Sequence, residues 1–390
     1  MIVTFEFLPF SGGIAVYTGA LAGGLSALGC EVVVLAPAYP GSEAVDRSAG
    51  YETVRMKVTH GTAEVTRVIP GLRYLARLLR SMRPDVALLT SDLAHGLGSV
   101  TCGAHGVPYV AVVHGSEVVK HFPPATFKRY LQSRALKFCY SRAKRVICVS
   151  EYVRSLMLKA GFDRANLRVI RNGVDESLAD TPSRPEVIDS IRRRHGLSEK
   201  KIILTVSRLA QRKGHAQVIE AIPEILSRHP DALYLIVGKG QHEERLRALA
   251  AEKNVNHAVV FAGEIPEDEK VSYLDVCDVY VLLSHSDGQR VEGFGIALLE
   301  AALRSKPLVG GRHGGITEII QHEVTGYLVD ASDSREVAAR VCTLLDDPAR
   351  ARAMGEAAKQ RVVKEFPASR MVSETRSVLE EAVAGSDASS

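Results

Sequence analysis

The sequence predicts an α/β protein built of two doubly wound domains, each a parallel sheet covered by helices on both faces. Short apolar strands alternate with amphipathic helices along nearly the whole chain. The alternation stops at a polar, proline-containing stretch near 176–184 and then begins again. A chain of 390 residues also exceeds what one hydrophobic core usually supports. We therefore expect two domains that face each other across a cleft.

The individual strands are predicted from near-continuous apolar runs, which are typical of parallel sheets buried on both faces. Those of the first half are IVTFEFL, EVVVLAP, VALLT, YVAVVHG and RVICVS. Those of the second half are KIILTVSRL, ALYLIVGKG, VVFAGEI, VYVLLSH, PLVGG and GYLVD. The expected domains are 1–178 and 179–366, followed by a terminal helix over 367–384 and a disordered tail over 385–390.

Composition and the chain start indicate a cytoplasmic protein. The N-terminal run MIVTFEFLPF has no basic region and meets Pro9 early, so it predicts a first strand and not a signal peptide. No apolar run reaches the length of a membrane span. The six cysteines form no CxxC pair and lie mostly in apolar segments, which is typical of reduced core residues.

Positive charge is concentrated in the first half of the chain. Residues 120–171 contain thirteen Lys and Arg, against only Glu151 and Asp163. Such a surface suits anionic lipid head groups, a phosphate-bearing acceptor or nucleic acid, and the alternative is an ordinary solvated face. Nucleic acid is disfavoured because no binding motif accompanies the charge. Arg73, Arg77 and Arg80 form a second basic face on a predicted helix. This face could likewise contact a membrane or be an ordinary solvated face.

In the first half, candidate site residues follow two strands, because open parallel sheets bind ligands at their C-terminal strand ends. Gly12 and Gly13 come after the first strand and open a helix, so their backbone amides can approach an anion closely. A tight turn is the alternative interpretation of this glycine pair. The strand YVAVV ends in His114, which places an imidazole at the same edge, where a purely structural histidine is the competing interpretation.

In the second half, two cations predict a diphosphate site. Arg208 follows the strand IILTV, and Lys213 lies just before the next helix. A departing diphosphate needs its developing negative charge neutralised, although both cations could simply face solvent. Gly238 follows another strand and is a further candidate for donor binding. Neither this position nor the end of the first strand carries a GxGxxG fingerprint, which argues against a dehydrogenase.

Two glutamates, Glu292 and Glu300, are the most informative residues of the chain. If 296–305 is a helix, Glu300 shares an apolar stripe with Ile296 and Leu299 and points inward. An unpaired buried carboxylate costs several kcal/mol, so a polar partner must meet it. Glu292 would lie within roughly 12 Å of it. The two carboxylates could grip a hydroxyl-rich ligand, or Glu300 could pair with a buried Arg or Lys.

Together these residues resemble the retaining, metal-independent glycosyltransferases of the GT-B fold, specifically glycosyltransferase family 4, with two Rossmann-like domains. The resemblance covers nearly the whole chain. It is carried by SGG at 11–13, the strand-end HG, VSEYVRS, NGVD, the SRL and KG pair, the E-x7-E run with its internal GFG, and HGGITEII. The E-x7-E run is the most specific of these motifs.

The resemblance implies a role for each matching residue. Glu300 would bind the donor ribose, Glu292 the hydroxyls of the transferred sugar, and His114 the sugar near its reacting carbon. The backbone amides of Phe294, Gly295 and Ile296 would contact sugar or phosphate, and Arg208 and Lys213 would hold the diphosphate. The stretch that contains Glu264 and Ile265 would lie against the nucleobase. The terminal helix would cross back to the first domain.

The implied reaction is transfer of a hexosyl unit from GDP-mannose or a UDP-hexose to an acceptor hydroxyl, with retention at the anomeric carbon. No two aspartates are separated by a single residue, so a DxD metal clamp is absent and no cofactor or metal is expected. The acceptor would be a sugar, a lipid-linked molecule or another compound with a free hydroxyl. Two alternatives stay open: a nucleotide-sugar epimerase of the same fold, and a non-catalytic nucleotide-sugar-binding protein.

Overall fold

The chain folds into two compact units, which a computed structural model describes for residues 1–10, 12–56, 64–124 and 126–387. The first unit comprises 1–173 together with the chain from 368 onward, and the second comprises 174–367. The boundaries expected from sequence were 178/179 and 366/367. In the part of the chain that the structure describes, no helix combines the length and the apolar character needed to cross a bilayer.

The first unit holds a seven-stranded parallel sheet of order β3-β2-β1-β4-β5-β6-β7. Its strands are β1 (Ile2–Val3), β2 (Val33–Pro37), β3 (Glu52–Met56), β4 (Ala87–Leu89), β5 (Tyr109–Val113), β6 (Arg145–Cys148) and β7 (Leu167–Val169). Its helices are α1 (Gly13–Ala27), α2 (Ser42–Ser48), α3 (Glu64–Met82), α4 (Asp92–Ala104), α5 (Ser116–His121), α6 (Phe127–Arg142) and α7 (Glu151–Lys159).

The second unit holds a six-stranded parallel sheet of order β10-β9-β8-β11-β12-β13. Its strands are β8 (Lys201–Val206), β9 (Ala232–Val237), β10 (Val259–Gly263), β11 (Val279–Leu282), β12 (Leu308–Gly311) and β13 (Gly326–Val329). Its helices are α8 (Pro185–His195), α9 (His215–Arg228), α10 (Glu243–Glu252), α11 (Lys270–Val276), α12 (Ile296–Leu303), α13 (Ile316–Ile319), α14 (Ser334–Asp346) and α15 (Pro348–Glu365).

Both sheets reverse their strand order once, as doubly wound sheets do. The reversal lies between β1 and β4 in the first unit and between β8 and β11 in the second. Two apolar clusters cover the two faces of the second sheet: Tyr234 belongs to one and Leu235, its neighbour on β9, to the other. The prediction of two doubly wound parallel-sheet domains is confirmed. The crevice at each strand reversal is where such sheets bind ligands.

Two strands were missed by the sequence analysis, and they form the two edges of the first sheet. Strand β3 has the sequence ETVRM and is exposed or half-buried over most of its length, while β7 has only three residues. An edge strand pairs with another strand on one side only, so fewer of its side chains need to be apolar than in a central strand. The sequences of β3 and β7 therefore lack the run that predicts a strand.

The polar stretch near 176–184 belongs to the second unit and is held there by Arg304. The Arg304 guanidinium donates to the backbone oxygens of Leu178 and Thr181, each at 2.8 Å, and forms a buried ion pair with Asp275. This segment is thus a packed part of the second unit and not a free connector.

The terminal helix α16 (Ala368–Asp387) is part of the first unit. It packs on α1, where a Cβ atom added at Gly24 would lie 2.4 Å from Val372 Cγ2. The helix continues to Asp387, so residues 385–387 are helical and the expected disordered tail is wrong for them. The rest of that predicted tail, 388–390, lies outside the described residues.

Candidate active site

The C-terminal edge of the second sheet gathers most of the residues singled out in the sequence. Arg208 follows β8, Gly238 follows β9, and Glu264 follows β10. Glu292 lies in the segment between β11 and α12. Because all six strands are parallel, these loops share one edge of the sheet.

Glu292 is the centre of a buried charge cluster. Its Oε2 atom accepts hydrogen bonds from Arg212 Nη1 at 3.2 Å, from Ser284 Oγ at 3.1 Å and from Lys213 Nζ. The side chains of Glu292, Arg212 and Lys213 are 12%, 10% and 14% exposed. Burial alone would raise the pKa of Glu292, but Lys213 and Arg212 outweigh it and lower that pKa to about 2. The carboxylate is therefore ionised at every physiological pH.

The cluster carries a net positive charge, since two cations surround one carboxylate. Burial lowers the pKa of Lys213, Glu292 raises it, and Arg212 lowers it further. Two cations held close together beside one anion leave an unbalanced charge that a second anion can neutralise. The cluster is thus suited to bind a ligand phosphate.

Two glycines after β12 clamp the loop that carries Glu292. A Cβ atom at Gly314 would lie 2.4 Å from the Glu292 backbone oxygen, and one at Gly315 would lie 2.2 Å from that of Gly293. The Gly315 N–H donates to the Glu292 carbonyl at 3.1 Å. The two loops thus pack backbone against backbone, a distance that only glycine permits.

Glu300 points inward on α12, as its sequence position predicts, and it meets a lysine. Its Oε1 accepts a hydrogen bond from Lys270 Nζ at 2.9 Å, and Lys270 also pairs with the exposed Glu267. Burial would lower the pKa of Lys270, but Glu300 and Glu267 raise it well above its usual value. The structure therefore agrees with the alternative in which Glu300 pairs with a buried cation, and Lys270 contacts one of the two carboxylate oxygens.

Helix α12 begins at a glycine with a left-handed backbone. Gly295 is its N-cap with φ of 109°, a value that L side chains rarely adopt. The Phe294 ring is buried and packs against Phe366, with ring centroids 5.5 Å apart. The side chain of Phe294 thus serves the core, and the first-turn amides from Gly295 and Ile296 lie at the helix start, where they suit an anion. The helix ends at Leu303, two residues before the expected end.

Arg208 lies outside β8, although the run KIILTVSRL predicts a strand that includes it. Strand β8 ends at Val206, and Arg208 is an exposed residue of the following loop. The preceding Ser207 is held by His215 Nε2 at 3.0 Å, and His215 Nδ1 contacts the Tyr234 hydroxyl at 2.9 Å. Arg208 thus extends from a loop anchored to the buried face of α9.

The loops after β9 and β10 pack on each other and on the loop after β8. A Cβ atom at Gly238 would lie 2.1 Å from the Ser207 backbone oxygen, so packing alone already requires this glycine. Gly238 N–H donates to the Gly263 carbonyl at 2.8 Å. Glu264 is exposed and forms an ion pair of 3.4 Å with Lys239, while Ile265 packs against the core.

In the first unit, His114 follows β5 and has a buried nitrogen without a partner. Among the described residues none hydrogen-bonds its Nε2, although the ring interacts with the Thr90 backbone and packs edge-on against Tyr17. Burial, and then the nearby His95, lower the pKa of His114 to about 3. A neutral imidazole with a buried free nitrogen suits a hydroxyl group of a ligand.

Glu117 fixes the backbone at His114. Its Oε1 accepts the His114 backbone N–H at 2.6 Å, and the residue is only 5% exposed. Burial raises the pKa of Glu117 to about 7. Glu117 therefore contacts the main chain and not the imidazole.

The glycine pair at the start of α1 leaves open space. A Cβ atom added at Gly13 would meet nothing within 4 Å, and one at Gly12 would lie 3.2 Å from Phe10. Gly12 has an extended backbone, so a left-handed turn does not explain the pair. Neither Gly13 nor Gly12 is required by backbone packing, in contrast to Gly238. Ser11 lies outside the described residues.

The sequence analysis missed four residues of these clusters. Arg212 was overlooked although it directly precedes Lys213, and this adjacency was the available signal. Ser284 and Lys270 carry no local signal, because each reaches its partner only through the fold. Glu117 lies three residues after His114, whose backbone it contacts, and this spacing was the available signal.

Comparisons with known proteins agree, over most of the chain, with the family resemblance that the sequence motifs indicate. A family model described as Glycosyltransferase Family 4 matches residues 11–178, and one described as Glycosyl transferases group 1 matches residues 187–361. The chain is 33% identical to a GDP-mannose-dependent α-(1-6)-phosphatidylinositol monomannoside mannosyltransferase of Mycolicibacterium smegmatis, with 92% of each chain covered. It is 28% identical to a GDP-mannose-dependent monoacylated α-(1-6)-phosphatidylinositol monomannoside mannosyltransferase of Corynebacterium glutamicum, with 94% of this chain and 93% of that one covered.

Solved structures resemble the fold closely. Anabaena HepE in complex with UDP-glucose superposes with a TM-score of 0.82 at 19% identity, covering 97% of this chain and 99% of that one. Sucrose-phosphate synthase of Thermosynechococcus elongatus gives a TM-score of 0.83 at 19% identity, covering 98% of both chains. At this identity the likeness shows the fold.

Proposed function

Because this chain belongs to glycosyltransferase family 4, we propose that it transfers a mannosyl group from GDP-mannose to a hydroxyl group of a lipid-linked acceptor. The resemblance inferred from the motifs is confirmed, and with it glycosyltransferase activity. The choice of GDP-mannose over a UDP-hexose, and of a glycolipid over a polysaccharide, is supported by the names of the mycobacterial and corynebacterial relatives.

The observation that carries the proposal is the buried cluster of Arg212, Lys213 and Glu292. Its excess positive charge suits the donor diphosphate, and the ionised Glu292 suits sugar hydroxyls and positive charge on the sugar ring. Arg208 extends from the neighbouring loop as a further cation. These fixed cations would neutralise the leaving group, so we propose that no metal is needed.

The proposed reaction retains the anomeric configuration. The bond between the sugar C1 and the β-phosphate oxygen breaks, the acceptor oxygen bonds to C1 on the same face, and the acceptor proton passes to the departing phosphate. We assign His114 to the transferred sugar. Because His114 is neutral, it adds no charge that would oppose a cationic ring. Glu300 is assigned to the ribose through the carboxylate oxygen that Lys270 leaves open.

A donor screen tests the proposal first. Thermal unfolding is measured with GDP, UDP and their mannose and glucose derivatives, all at one fixed concentration, so that the tighter ligand stabilises more; a ligand at a hundred times its dissociation constant adds about 2.7 kcal/mol of stability. We expect GDP and GDP-mannose to raise the midpoint most. Stabilisation by UDP compounds alone would overturn the assignment of the donor.

Turnover then separates the alternatives. With GDP-mannose and a phosphatidylinositol mannoside acceptor, we expect a mannosylated lipid that is cleaved by an α-mannosidase. Conversion of the donor sugar without acceptor would indicate an epimerase. Donor binding without any turnover would indicate a binding protein.

We further propose that the first unit contacts an anionic membrane peripherally at its cytoplasmic face, as a lipid-linked acceptor requires. The basic residues of 120–171 support this contact.

A further inference from the structure

Helix α6 exposes a stripe of large apolar side chains to water. Phe127, Tyr130, Leu131 and Phe138 are 76%, 45%, 54% and 46% exposed. With a helical period of 3.6 residues, these four positions fall within about 100° of one face. The opposite face is buried, through Ser133, Leu136, Cys139 and Tyr140. We call the four exposed side chains the α6 stripe.

The α6 stripe is embedded in positive charge. The helix contains five Lys and Arg and no Asp or Glu. Arg134 is exposed within the stripe, Lys137 is exposed beside it, and the Arg142 guanidinium lies 5.1 Å from the Phe138 ring centroid. Apolar side chains flanked by cations, without acidic residues, match a surface that is apolar inside and anionic outside.

We propose that α6 lies in the head-group region of an anionic lipid bilayer, with the α6 stripe entering the boundary of the acyl chains. This proposal rests on the proposed function, because it names the element that would bring the enzyme to a lipid-linked acceptor. A second copy of the chain fits the helix poorly, since two such faces would bring together six cations, Arg134, Lys137 and Arg142 of each copy, without a compensating carboxylate from the helix.

The direction of α6 agrees with this role. The helix ends at Arg142, three residues before β6 begins, so its C-terminus lies at the N-terminal edge of the parallel sheet. A helix of 16 residues extends about 24 Å. Its N-terminal end therefore lies toward the opposite edge, the one at which His114 follows β5. The most exposed residue of the stripe, Phe127, belongs to that end.

The chain contains no tryptophan, which permits a direct measurement. Phe138→Trp and Leu131→Trp each introduce a single fluorophore into the stripe. Val363→Trp is the matched control, because Val363 is 44% exposed on α15 of the second unit. With vesicles of phosphatidylglycerol and phosphatidylcholine, we expect the emission of the two α6 variants to move to shorter wavelength, and that of the control to stay constant. An equal shift in the control would overturn the proposal.

Binding variants separate the apolar and ionic contributions. In vesicle sedimentation we expect Phe127→Ser, Leu131→Ser and Phe138→Ser together to weaken binding about a thousandfold, at roughly tenfold for each side chain. Arg134→Glu, Lys137→Glu and Arg142→Glu together should abolish the preference for anionic over neutral vesicles. Wild-type binding should fall in 1 M salt, where the Debye length is about 3 Å. Unchanged sedimentation of the serine variant would refute the proposal.

Two further measurements distinguish membrane binding from self-association and from a loss of the native fold. Light scattering reports the mass of the wild type and of the serine variant, and a dimer that the serine changes dissociate would make α6 a subunit interface instead. Hydrolysis of GDP-mannose should be the same in both proteins. If the protein bound vesicles through α6 but transferred no mannose, only the proposed function would be refuted. If it transferred mannose but did not bind vesicles, only this inference would be refuted.

Discussion

Lys270 Nζ lies 2.9 Å from Glu300 Oε1, and the two side chains are only 15% and 11% exposed. The pair explains how a carboxylate is tolerated on the buried side of α12. On the proposed assignment, the ribose would bind the other carboxylate oxygen of Glu300, which Lys270 orients by holding Oε1. Lys270 would then be a positioning residue for the nucleotide.

Replacing Lys270 by Met should weaken both folding and nucleotide binding. Removing one partner of a buried ion pair leaves the other charge uncompensated, which we expect to cost about 3 kcal/mol of unfolding free energy. Glu267→Gln removes only the exposed partner of the same lysine and is the matched control, with an expected change below about 1 kcal/mol. Chemical denaturation and calorimetry with GDP measure the two effects. Equal behaviour of the two variants would show that the buried pair has no special role.

The two glutamates of the E-x7-E run should fail differently when each is changed to Gln. Glu300→Gln loses charge-assisted hydrogen bonds to the ribose, so GDP should bind roughly ten- to a hundredfold more weakly. Glu292→Gln frees Lys213 and Arg212 for the diphosphate, so GDP affinity should persist or rise while turnover falls by about a hundredfold or more. Glu244→Gln, on exposed α10, controls for the loss of a carboxylate. Unaltered GDP affinity in Glu300→Gln would contradict the ribose assignment.

Mannosyl transfer and donor hydrolysis should proceed in the presence of EDTA. On the proposed assignment, Arg208, Arg212 and Lys213 would supply the positive charge that a bound metal supplies in DxD enzymes. We therefore expect activity to remain nearly intact in chelator and to fall sharply in Lys213→Ala. Loss of activity in EDTA, with recovery on addition of magnesium or manganese, would sink this prediction.

Stability should decrease between about pH 5 and pH 8 because of Glu117. Burial raises its pKa to about 7 in the folded state, above its value of about 4.3 in an unfolded chain. The folded state binds the proton more tightly, so its stabilisation is fully present below the unfolded pKa and is lost as the pH rises through 7. Glu117→Gln retains the acceptor for the His114 N–H and should remove up to about 4 kcal/mol of this pH dependence. If the unfolding midpoints of wild type and variant changed with pH by the same amount, this prediction would be wrong.

The extent to which the sequence predicts this fold depends on where a strand lies in the sheet. Central strands such as Tyr109–Val113 are buried on both faces and have continuous apolar sequences. The edge strand Glu52–Met56 pairs on one side only, so a polar sequence is compatible with this position. That sequence has no apolar run from which a strand could be predicted.

The site shows a similar division. Glu292, Glu300 and His114 are recognisable because a polar residue stands at a strand end or on an apolar stripe. Lys270 is thirty residues from Glu300 and lies on another helix, so the tertiary structure alone brings them together. Gly238 was assigned to the donor, but close packing against Ser207 already explains it, since a sequence does not distinguish the two reasons for a glycine.

The position of α16 in the first unit has a consequence for how the chain matures on the ribosome. Residues 1–173 are synthesised before the second unit, yet the helix that packs on α1 beside Gly24 is synthesised only after it. The second unit is contiguous in sequence and can complete its core without interruption, whereas the first unit must wait until the whole second unit has been synthesised. A premature stop after residue 367 would therefore leave the first unit, and not the second, without its terminal helix. The glycine-rich surface of α1 would then be exposed, which favours aggregation and proteolysis.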